Sequence, residues 1–163
     1  MTTLDFVRKI GSGANGSVGL YKDRSESEKK YAIKNSKHPN TMKKEAKILE
    51  KLMELRRDDI LKINQYVPPY ELVTEYVEGE TLHDFVYSKV LDDAMIRALF
   101  KKIIEAVKAC HTLKVYHFDL KSDNIMVKPD ESIVLIDFGM AQMKTDKDAD
   151  QTNCSNKLFK HTW

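Results

Sequence analysis

The segment His117-Phe-Asp-Leu-Lys-Ser-Asp-Asn124 is followed, after two short apolar runs, by Asp137-Phe-Gly139. A carboxylate at Asp119 can accept or orient the proton of an attacking hydroxyl group. Asn124 and Asp137 supply amide and carboxylate oxygens, the hard ligands that Mg2+ prefers in proteins. Together the two segments predict a divalent-cation site beside a general base. His117 is expected to pack and to hydrogen-bond as a structural residue, with a role as the base left as the alternative.

A glycine-rich stretch, Gly11-Ser-Gly-Ala-Asn-Gly-Ser-Val18, lies near the N-terminus. Glycines at Gly11, Gly13 and Gly16 let the backbone approach a polyphosphate closely, and exposed N–H groups there can complement its negative charge. An ordinary turn between two strands would use glycine in the same way, and this alternative stays open. The residues after Gly16 continue as a strand that includes Val18, whereas a dinucleotide-binding loop would open a helix at this point.

Lys34 and Glu45 are predicted to form an ion pair. Ala32 and Lys34 share one face of a predicted strand, because side chains alternate along a strand. Glu45 lies on the apolar side of the next predicted helix, where an unpaired carboxylate is costly. A pair between Lys34 and Glu45 would satisfy both charges. The alternative is that Glu45 reaches solvent and that Glu50 or Glu54 takes its place.

The first half of the chain has the pattern of a sheet with one helix. Short β-compatible segments are separated by glycine, by a polar run or by Pro68-Pro69, which favours a turn. These segments cover residues 6–10, 17–22, 30–35, 60–67 and 70–77. Apolar residues at helical spacing predict a helix over residues 42–55, with Asn40 or Thr41 as its N-cap.

The second half predicts one long helix and a hairpin. Residues 92–113 repeat apolar side chains at helical spacing, and this face is expected to be core. Its members are Ile96, Leu99, Phe100, Ile103, Val107 and Cys110. Residues 125–127 and 133–136 are expected to pair as a small hairpin.

Composition excludes several classes of protein. The chain has 163 residues, 27 Lys and Arg against 25 Asp and Glu, and a net charge of +2, so no nucleic-acid partner is expected. The sequence shows neither an apolar run long enough to span a bilayer nor a secretory leader pattern, so no membrane partner is expected. Cys110 and Cys154 have neither disulfide-framework nor zinc spacing. A reducing compartment, the cytoplasm, is the expected location.

Four motifs stand in order along the chain: Gly11 to Val18, Ala32-Ile-Lys34, His117 to Asn124 and Asp137 to Gly139. In this order the chain resembles the eukaryotic-type protein kinase family over residues 6–142. The resemblance implies an α+β fold in two lobes with a polar tail over residues 144–163. A five-stranded antiparallel N-lobe with one helix would cover residues 1–78, and a reduced, mainly helical C-lobe would cover residues 79–143. ATP and Mg2+ would be cofactors, a protein would be the substrate, and a partner protein could activate or complete the structure.

The resemblance also implies roles for individual residues. Asp119 would orient the acceptor hydroxyl, Lys121 would neutralise the transferring phosphoryl group, and Lys34 would hold the α- and β-phosphates. The implied cofactor contacts are Gly11, Gly13, Gly16, Val18, Ala32, Lys34, Glu45, Thr74, Glu75, Val77 and Met126, and the implied metal ligands are Asn124 and Asp137. Thr74 would be the gatekeeper, with backbone groups of Glu75 and Val77 at adenine, unless this segment is an ordinary buried strand. A hydrophobic stack joining the lobes would consist of Leu49, Ile63, His117 and Phe138.

Two features set this chain apart from most kinases. Lys121 is typical of the serine/threonine branch, so a serine or threonine acceptor is expected. Phe118, however, stands where most members carry the arginine that binds a phosphorylated activation loop, which argues against that control. Peptide-positioning helices are not recognisable after Gln142, and kinases of this compact build occur among viral proteins and bacterial effectors.

Two other functions stay open on the sequence. One is a nucleotide-binding module that imitates or inhibits a kinase, although an inert mimic has no need of all four of Lys34, Asp119, Asn124 and Asp137. The other is a small-molecule phosphotransferase, which shares His-x-Asp-x4-Asn but normally lacks the triple-glycine loop and the Asp-Phe-Gly sequence. Candidate autophosphorylation sites in the tail are Thr145, Thr152 and Ser155.

Overall fold

The computed structural model describes residues 3–13, 16–26 and 28–144. Five strands form one antiparallel sheet in the order β1-β2-β3-β5-β4. They are β1 (Leu4–Gly13), β2 (Gly16–Asp23), β3 (Lys30–Ser36), β4 (Ile63–Val67) and β5 (Glu71–Glu75). The five-stranded antiparallel sheet predicted from the sequence is confirmed. The tail residues Thr145, Thr152 and Ser155 lie outside the described residues.

Gly16 begins β2 at a place where no side chain fits. A Cβ built there would lie 1.9 Å from the carbonyl oxygen of Asn35 on β3. Gly16 pairs with Ser36 in the β2–β3 register, so the two backbones meet at the very start of the strand. This glycine is therefore required by the close approach of β3.

Helix α1 (Pro39–Leu52) lies between β3 and β4 and is followed by a 3-10 turn, Met53–Leu55. The predicted N-caps Asn40 and Thr41 are wrong, because the helix begins earlier and its N-cap is His38. Proline at the first helical position lacks only an N–H that would have no partner there, and its fixed φ suits a helix. Six residues of α1 face the core: Met42, Glu45, Ala46, Ile48, Leu49 and Leu52.

The second half of the described chain has two helices and short strands. Helix α2 (Leu82–Ser88) is capped by Thr81, and α3 (Asp93–Thr112) is capped by Asp92. The strands are β6 (Glu80–Thr81), β7 (Val115–Tyr116), β8 (Ile125–Val127), β9 (Ile133–Leu135) and β10 (Gln142–Met143). They form the sheets β6-β8-β9 and β10-β7, so the predicted β8–β9 hairpin is confirmed and gains a third strand.

One hydrophobic core runs through both halves of the described chain. It joins residues of α1 such as Leu49 to residues of α2 and α3 such as Phe85 and Leu99, and to Phe138 after β9. The prediction that Ile96 and Phe100 belong to the core is wrong. Their relative exposures are 41% and 63%, whereas Leu99 and Cys110 of the same helix are buried.

Helix α3 carries the cysteine Cys110. Cys110 is buried as a free thiol, and burial raises its pKa to about 11. A thiol with so high a pKa stays protonated and unreactive at neutral pH.

Over the described ranges, no helix combines the length and apolar character needed to cross a membrane.

Candidate active site

A cleft of about 520 Å3 lies between the five-stranded sheet and the β6-β8-β9 sheet. Nine of the predicted cofactor-contact residues line it: Gly11, Val18, Ala32, Lys34, Glu45, Thr74, Glu75, Val77 and Met126. Both predicted metal ligands, Asn124 and Asp137, line it as well. Gly13 and Gly16 belong to the same loop but are not among the lining residues. The structure thus brings most of the predicted site residues to one cavity.

Lys34 stands at the centre of a three-residue charge cluster at the back of this cleft. Its Nζ donates to both carboxylate oxygens of Glu45 at 2.9 Å and to Oδ1 of Asp137 at 2.8 Å. The Glu45 side chain is only 3% exposed, so the carboxylate that the sequence places on the apolar side of α1 is indeed buried. Glu54 pairs with Lys51 instead. The predicted Lys34–Glu45 ion pair is present.

Burial and mutual attraction set the protonation of this cluster. Burial lowers the pKa of Lys34, but the attraction of Glu45 and Asp137 outweighs it, so the pKa is raised. Burial raises the pKa of Glu45 even though Lys34 lies beside it. Burial acts on Asp137 in the same sense, but there the charge and hydrogen bond of Lys34 win and the pKa is lowered. Lys34 therefore stays charged, and Glu45 takes up a proton before Asp137 as the pH falls.

Gly139 closes the cluster from one side. A Cβ built at this position would lie 3.2 Å from Oδ1 of Asp137 and 3.4 Å from Nζ of Lys34. Its N–H points to Oδ1 of Asp137 at 3.4 Å, and Asp137 itself has a left-handed φ of 56°. This glycine lets the backbone pass close to the charges, which a larger residue would push apart.

Asp119, Lys121 and Asn124 form a second polar group, on the loop between β7 and β8. Lys121 Nζ donates to Oδ2 of Asp119 at 3.0 Å. Asn124 Nδ2 donates to the carbonyl oxygen of Asp119 at 2.8 Å and to its Oδ2 at 2.9 Å. Asp119 is thus held in place by the residue that the sequence predicts as a metal ligand.

The oxygens left over in the two groups suit a hard cation. Asn124 uses only its Nδ2, and Asp137 uses its Oδ1, so Asn124 Oδ1 and Asp137 Oδ2 have no donor within the described residues. No buried side-chain polar atom of this part of the chain lacks a partner, so the Asn124 oxygen is not sealed in the interior. Searched over the same residues, no cluster of three or more His, Cys, Asp or Glu could hold a metal by itself. Mg2+ typically takes one or two protein oxygens and completes its shell with phosphate oxygens and water, which this pair fits.

Comparison with protein families gives one match, to the protein kinase domain, over residues 4–160. The chain belongs to this family. The fold of the described residues agrees, because the five-stranded sheet with α1 corresponds to the N-lobe of a kinase. The cleft therefore lies beside the N-lobe sheet of this kinase domain.

Several relatives that the chain matches are named serine/threonine-protein kinases. The chain is 36% identical over 148 residues to serine/threonine-protein kinase pak-1 of Caenorhabditis elegans, which is 86% of this chain and 26% of that protein. It is 34% identical over 143 residues to serine/threonine-protein kinase PAK 1 of Mus musculus, covering 84% and 26%. It is 32% identical over 150 residues to serine/threonine-protein kinase STE20 of Candida glabrata, covering 88% and 16%. The chain spans no more than about a quarter of the length of these relatives.

His117 of the kinase domain is buried and fully engaged. Its Nδ1 accepts from the N–H of Asp119 at 3.3 Å, so the ring proton sits on Nε2, which donates to the carbonyl oxygen of Ile136 at 2.9 Å. The ring lies 4.7 Å from that of Phe138. Leu49 and Phe138 belong to the same core cluster, and Ile63 packs against it. His117 thus acts as a structural residue that holds Asp119, as the sequence predicts.

The segment from Thr74 to Val77 forms the edge of the cleft beside β5. Thr74 is buried, and its Oγ1 lies 3.4 Å from the carbonyl oxygen of Ala32 and 3.2 Å from that of Glu75. The N–H of Glu75 donates to the carbonyl oxygen of Lys62 at 3.0 Å. Within the described part of the chain, the N–H of Val77 donates to no backbone or side-chain acceptor. This leaves a backbone donor at the edge of the cleft.

Phe118 occupies the position at which the resemblance would place arginine. It has a left-handed φ of 59°, and its ring lies 6.2 Å from that of Tyr116. The Lys144 ammonium sits 5.5 Å from the centre of the Tyr116 ring, and Gln142 pairs with Tyr116 in the β10–β7 sheet. The chain after Gly139 is therefore joined to β7, the strand just before Phe118, by strand pairing and by the Lys144–Tyr116 contact.

Several lining residues of the cleft were missed by the sequence analysis. Leu61, Leu72 and Ile136 supply apolar wall, and Arg8, Glu80, Asp84 and Asp123 supply charge at its edges. Leu72 could have been found, because it lies two residues before Thr74 and so shares its strand face. Leu61 and Arg8 carry no such signal, since their positions depend on how separate segments meet.

Proposed function

We propose that this protein is a Mg-ATP-dependent protein serine/threonine kinase. The observation that carries the proposal is the meeting of two polar groups at one cleft. Lys34, Glu45 and Asp137 line its back, and Asn124, which holds Asp119, lines it from the catalytic loop. Phosphoryl transfer depends mainly on positioning and electrostatic stabilisation, and these residues provide both.

Adenine would bind between apolar walls at the edge of the sheet. Val18 and Ala32 line the cleft on one side and Met126 on the other. The free N–H of Val77 and the carbonyl oxygen of Glu75 are the backbone groups available to the purine edge. Thr74 beside them is small, which leaves room behind the base.

The phosphates would bind around Lys34. A charged lysine held by the buried Glu45 carboxylate is fixed in direction, so it can meet the α- and β-phosphates without being repositioned. Gly11, Gly13 and Gly16 would cover the phosphates with backbone N–H groups. Asn124 Oδ1 and Asp137 Oδ2 would hold Mg2+, which would offset the negative charge of the phosphates.

Asp119 and Lys121 would act on the transferring group. Asp119 accepts the proton of the acceptor hydroxyl, and Asn124 and His117 keep its carboxylate and backbone in position. Lys121 leaves its ion pair with Asp119 to meet the phosphoryl oxygens. Its presence, together with the names of the relatives, supports a serine or threonine acceptor. Phe118 offers no charge to a phosphorylated activation loop, so we infer that phosphorylation of that loop does not control this kinase.

The test is transfer of labelled γ-phosphate from Mg-ATP to a general protein substrate and to the chain itself, followed by phosphoamino-acid analysis. Asp119→Ala is the informative variant, and Asp130→Ala is its matched control, because Asp130 caps the β8–β9 turn through Ser132. We expect label on serine or threonine with the native chain and the control, and none above background with Asp119→Ala. Absence of transfer despite Mg-ATP binding would overturn the kinase proposal in favour of a nucleotide-binding mimic. Transfer to aminoglycosides or choline but not to protein would favour a small-molecule phosphotransferase.

A further inference from the structure

The first turns of α1 carry three exposed lysines on the solvent side, namely Lys43, Lys44 and Lys47. At about 100° of rotation per residue, they fall within an arc of about 100° around the helix axis. We call this surface the lysine face. Lys51 borders it at the end of the helix and is paired with Glu54 at 2.9 Å.

No described residue of the chain forms an ion pair with the lysine face. Within residues 3–13, 16–26 and 28–144, neither Lys43, Lys44 nor Lys47 forms an ion pair. Other surface cations do find partners, as Arg24 does with Asp5 and Arg97 with Asp93. Glu50 borders the lysine face one turn after Lys47, yet no ion pair joins the two. The face is therefore a compact excess of positive charge.

These charges also oppose the helix that carries them. Lys43 and Lys44 stand four and three residues before Lys47, spacings at which like charges on a helix repel. They lie near the positive end of the helix dipole, and the first turn of α1 has no acidic residue to offset them. The pattern costs the helix stability and adds nothing to the core. Such a local conflict indicates a role at the surface.

The side of α1 opposite the lysine face carries Glu45. Glu45 lies about 150° around the helix from the middle of the lysine face and points into the cleft, where it pairs with Lys34. One helix thus joins the lysine face to the ion pair of the active site. Whatever binds the lysines contacts the element that positions Glu45.

We propose that the lysine face binds a short acidic segment of a partner protein. Several carboxylates at close spacing would complement its charge, and the small arc suits a short segment. A long polyanion such as RNA is disfavoured, because 25 acidic residues nearly balance 27 basic ones over the whole chain. A lipid surface is disfavoured because, within Pro39–Leu52, no large apolar side chain is exposed to enter it.

The test is binding of a fluorescent oligoglutamate peptide to the full chain without ATP, so its result does not depend on the proposed kinase activity. The informative variant is Lys43→Gln/Lys44→Gln/Lys47→Gln. Lys22→Gln/Lys101→Gln/Lys108→Gln removes the same charge from exposed positions on β2 and α3 and is the matched control. We expect about tenfold weaker binding for the first variant and less than about twofold for the control. Equal loss in both, or no binding by the native chain, would overturn the proposal.

A charge exchange keeps the test independent of folding defects. Lys43→Glu/Lys44→Glu/Lys47→Glu should lose the oligoglutamate peptide and bind an oligolysine peptide, and we expect no oligolysine binding by the native chain. Circular dichroism of each variant checks that the helices are intact. Tighter binding of single-stranded RNA, or of phosphatidylserine vesicles, through the same lysines would show that the occupant is not an acidic protein segment.

Discussion

Helices α1 and α3 are both amphipathic, but their apolar faces have different surroundings. In α1, the apolar residues Met42, Leu49 and Leu52 are buried together with Glu45. In α3, Leu99 is buried while Phe100, the next residue of the predicted face, is 63% exposed. Helical periodicity shows which residues share a face, but it does not show whether another element covers that face. The sequence pattern therefore predicts the helix, whereas the tertiary structure decides which of its residues are buried in the core.

The largest expected effect on the free energy of unfolding is at Lys34, which pairs with the buried Glu45 of α1. Lys34→Met keeps the carbon stem but leaves the Glu45 carboxylate buried without its partner. Removing one partner of a buried pair costs about 3 kcal/mol or more, so urea unfolding should show a loss of that size. Lys101→Met on the outer side of α3 is the control and should leave the unfolding free energy unchanged. A stable Lys34→Met protein would mean that Glu45 is not held by this pair.

The next effect concerns packing on α1. Leu52 is 2% exposed, and Leu52→Ala should lower the free energy of unfolding by about 2–3 kcal/mol because it leaves a cavity in the core. The same measurement by urea denaturation applies. If the loss were below about 0.5 kcal/mol, the inner face of α1 would be as loosely covered as the outer arc of α3.

A smaller effect is expected from Glu45→Gln. The amide keeps the shape of the side chain but removes the charge that fixes Lys34, which remains paired with Asp137. Mg-ATP affinity measured by calorimetry should fall about tenfold, or about 1.4 kcal/mol, with little change in the fold. Glu50→Gln, on the exposed side of the same helix, is the control and should bind Mg-ATP as the native chain does.

The raised pKa of Glu45 predicts a pH effect that this variant removes. The ordinary pKa of a glutamate is 4.5, and as the pH falls from neutral toward this value Glu45 gains a proton in the folded chain before it would in the unfolded chain. The contribution of Glu45 to the free energy of unfolding therefore rises as the pH falls. Mg-ATP affinity should fall over the same range, because Lys34 loses that counter-charge. The informative quantity is the difference between the native and Glu45→Gln proteins, since every other titratable group is present in both. An identical pH dependence in the two would contradict the assignment.

The smallest effect is predicted for Phe100, the exposed aromatic residue of α3. Phe100→Ser should change the free energy of unfolding by less than about 0.5 kcal/mol, since the side chain buries little surface. Light scattering should show a less self-associating protein at high concentration, because an exposed aromatic group is removed. A loss as large as that of Leu52→Ala would show that the outer arc of α3 is covered after all.

The parts of the fold that follow local patterns could be predicted from the sequence. The five strands, the helices around Leu49 and Leu99, and the Lys34–Glu45 pair all rest on alternation, helical spacing or a charge on an apolar face. Strands of two residues such as β7 and β10 leave no period to detect, and α2 is too short for a clear one. The start of α1 was misplaced because Pro39 serves as its first residue and not as a break before it.

The cleft shows the same division. Residues in motifs, such as Asp119 and Asn124, have a chemistry that can be inferred from their type and spacing. The wall residues Leu61 and Arg8 come from segments far apart in sequence, so only the packing of the sheet on the rest of the chain brings them together. The exposure of Phe100 could not be predicted for the same reason.

The most direct test of the central claim is Mg2+-dependent binding of ATP, measured by calorimetry on the native chain, on Asp137→Asn and on Asp130→Asn as the control. We expect the native chain and the control to bind ATP more tightly with Mg2+ than without it, and Asp137→Asn to lose this dependence. ATP binding that is absent, or equally strong in all three proteins with and without Mg2+, would contradict the assignment of the cleft.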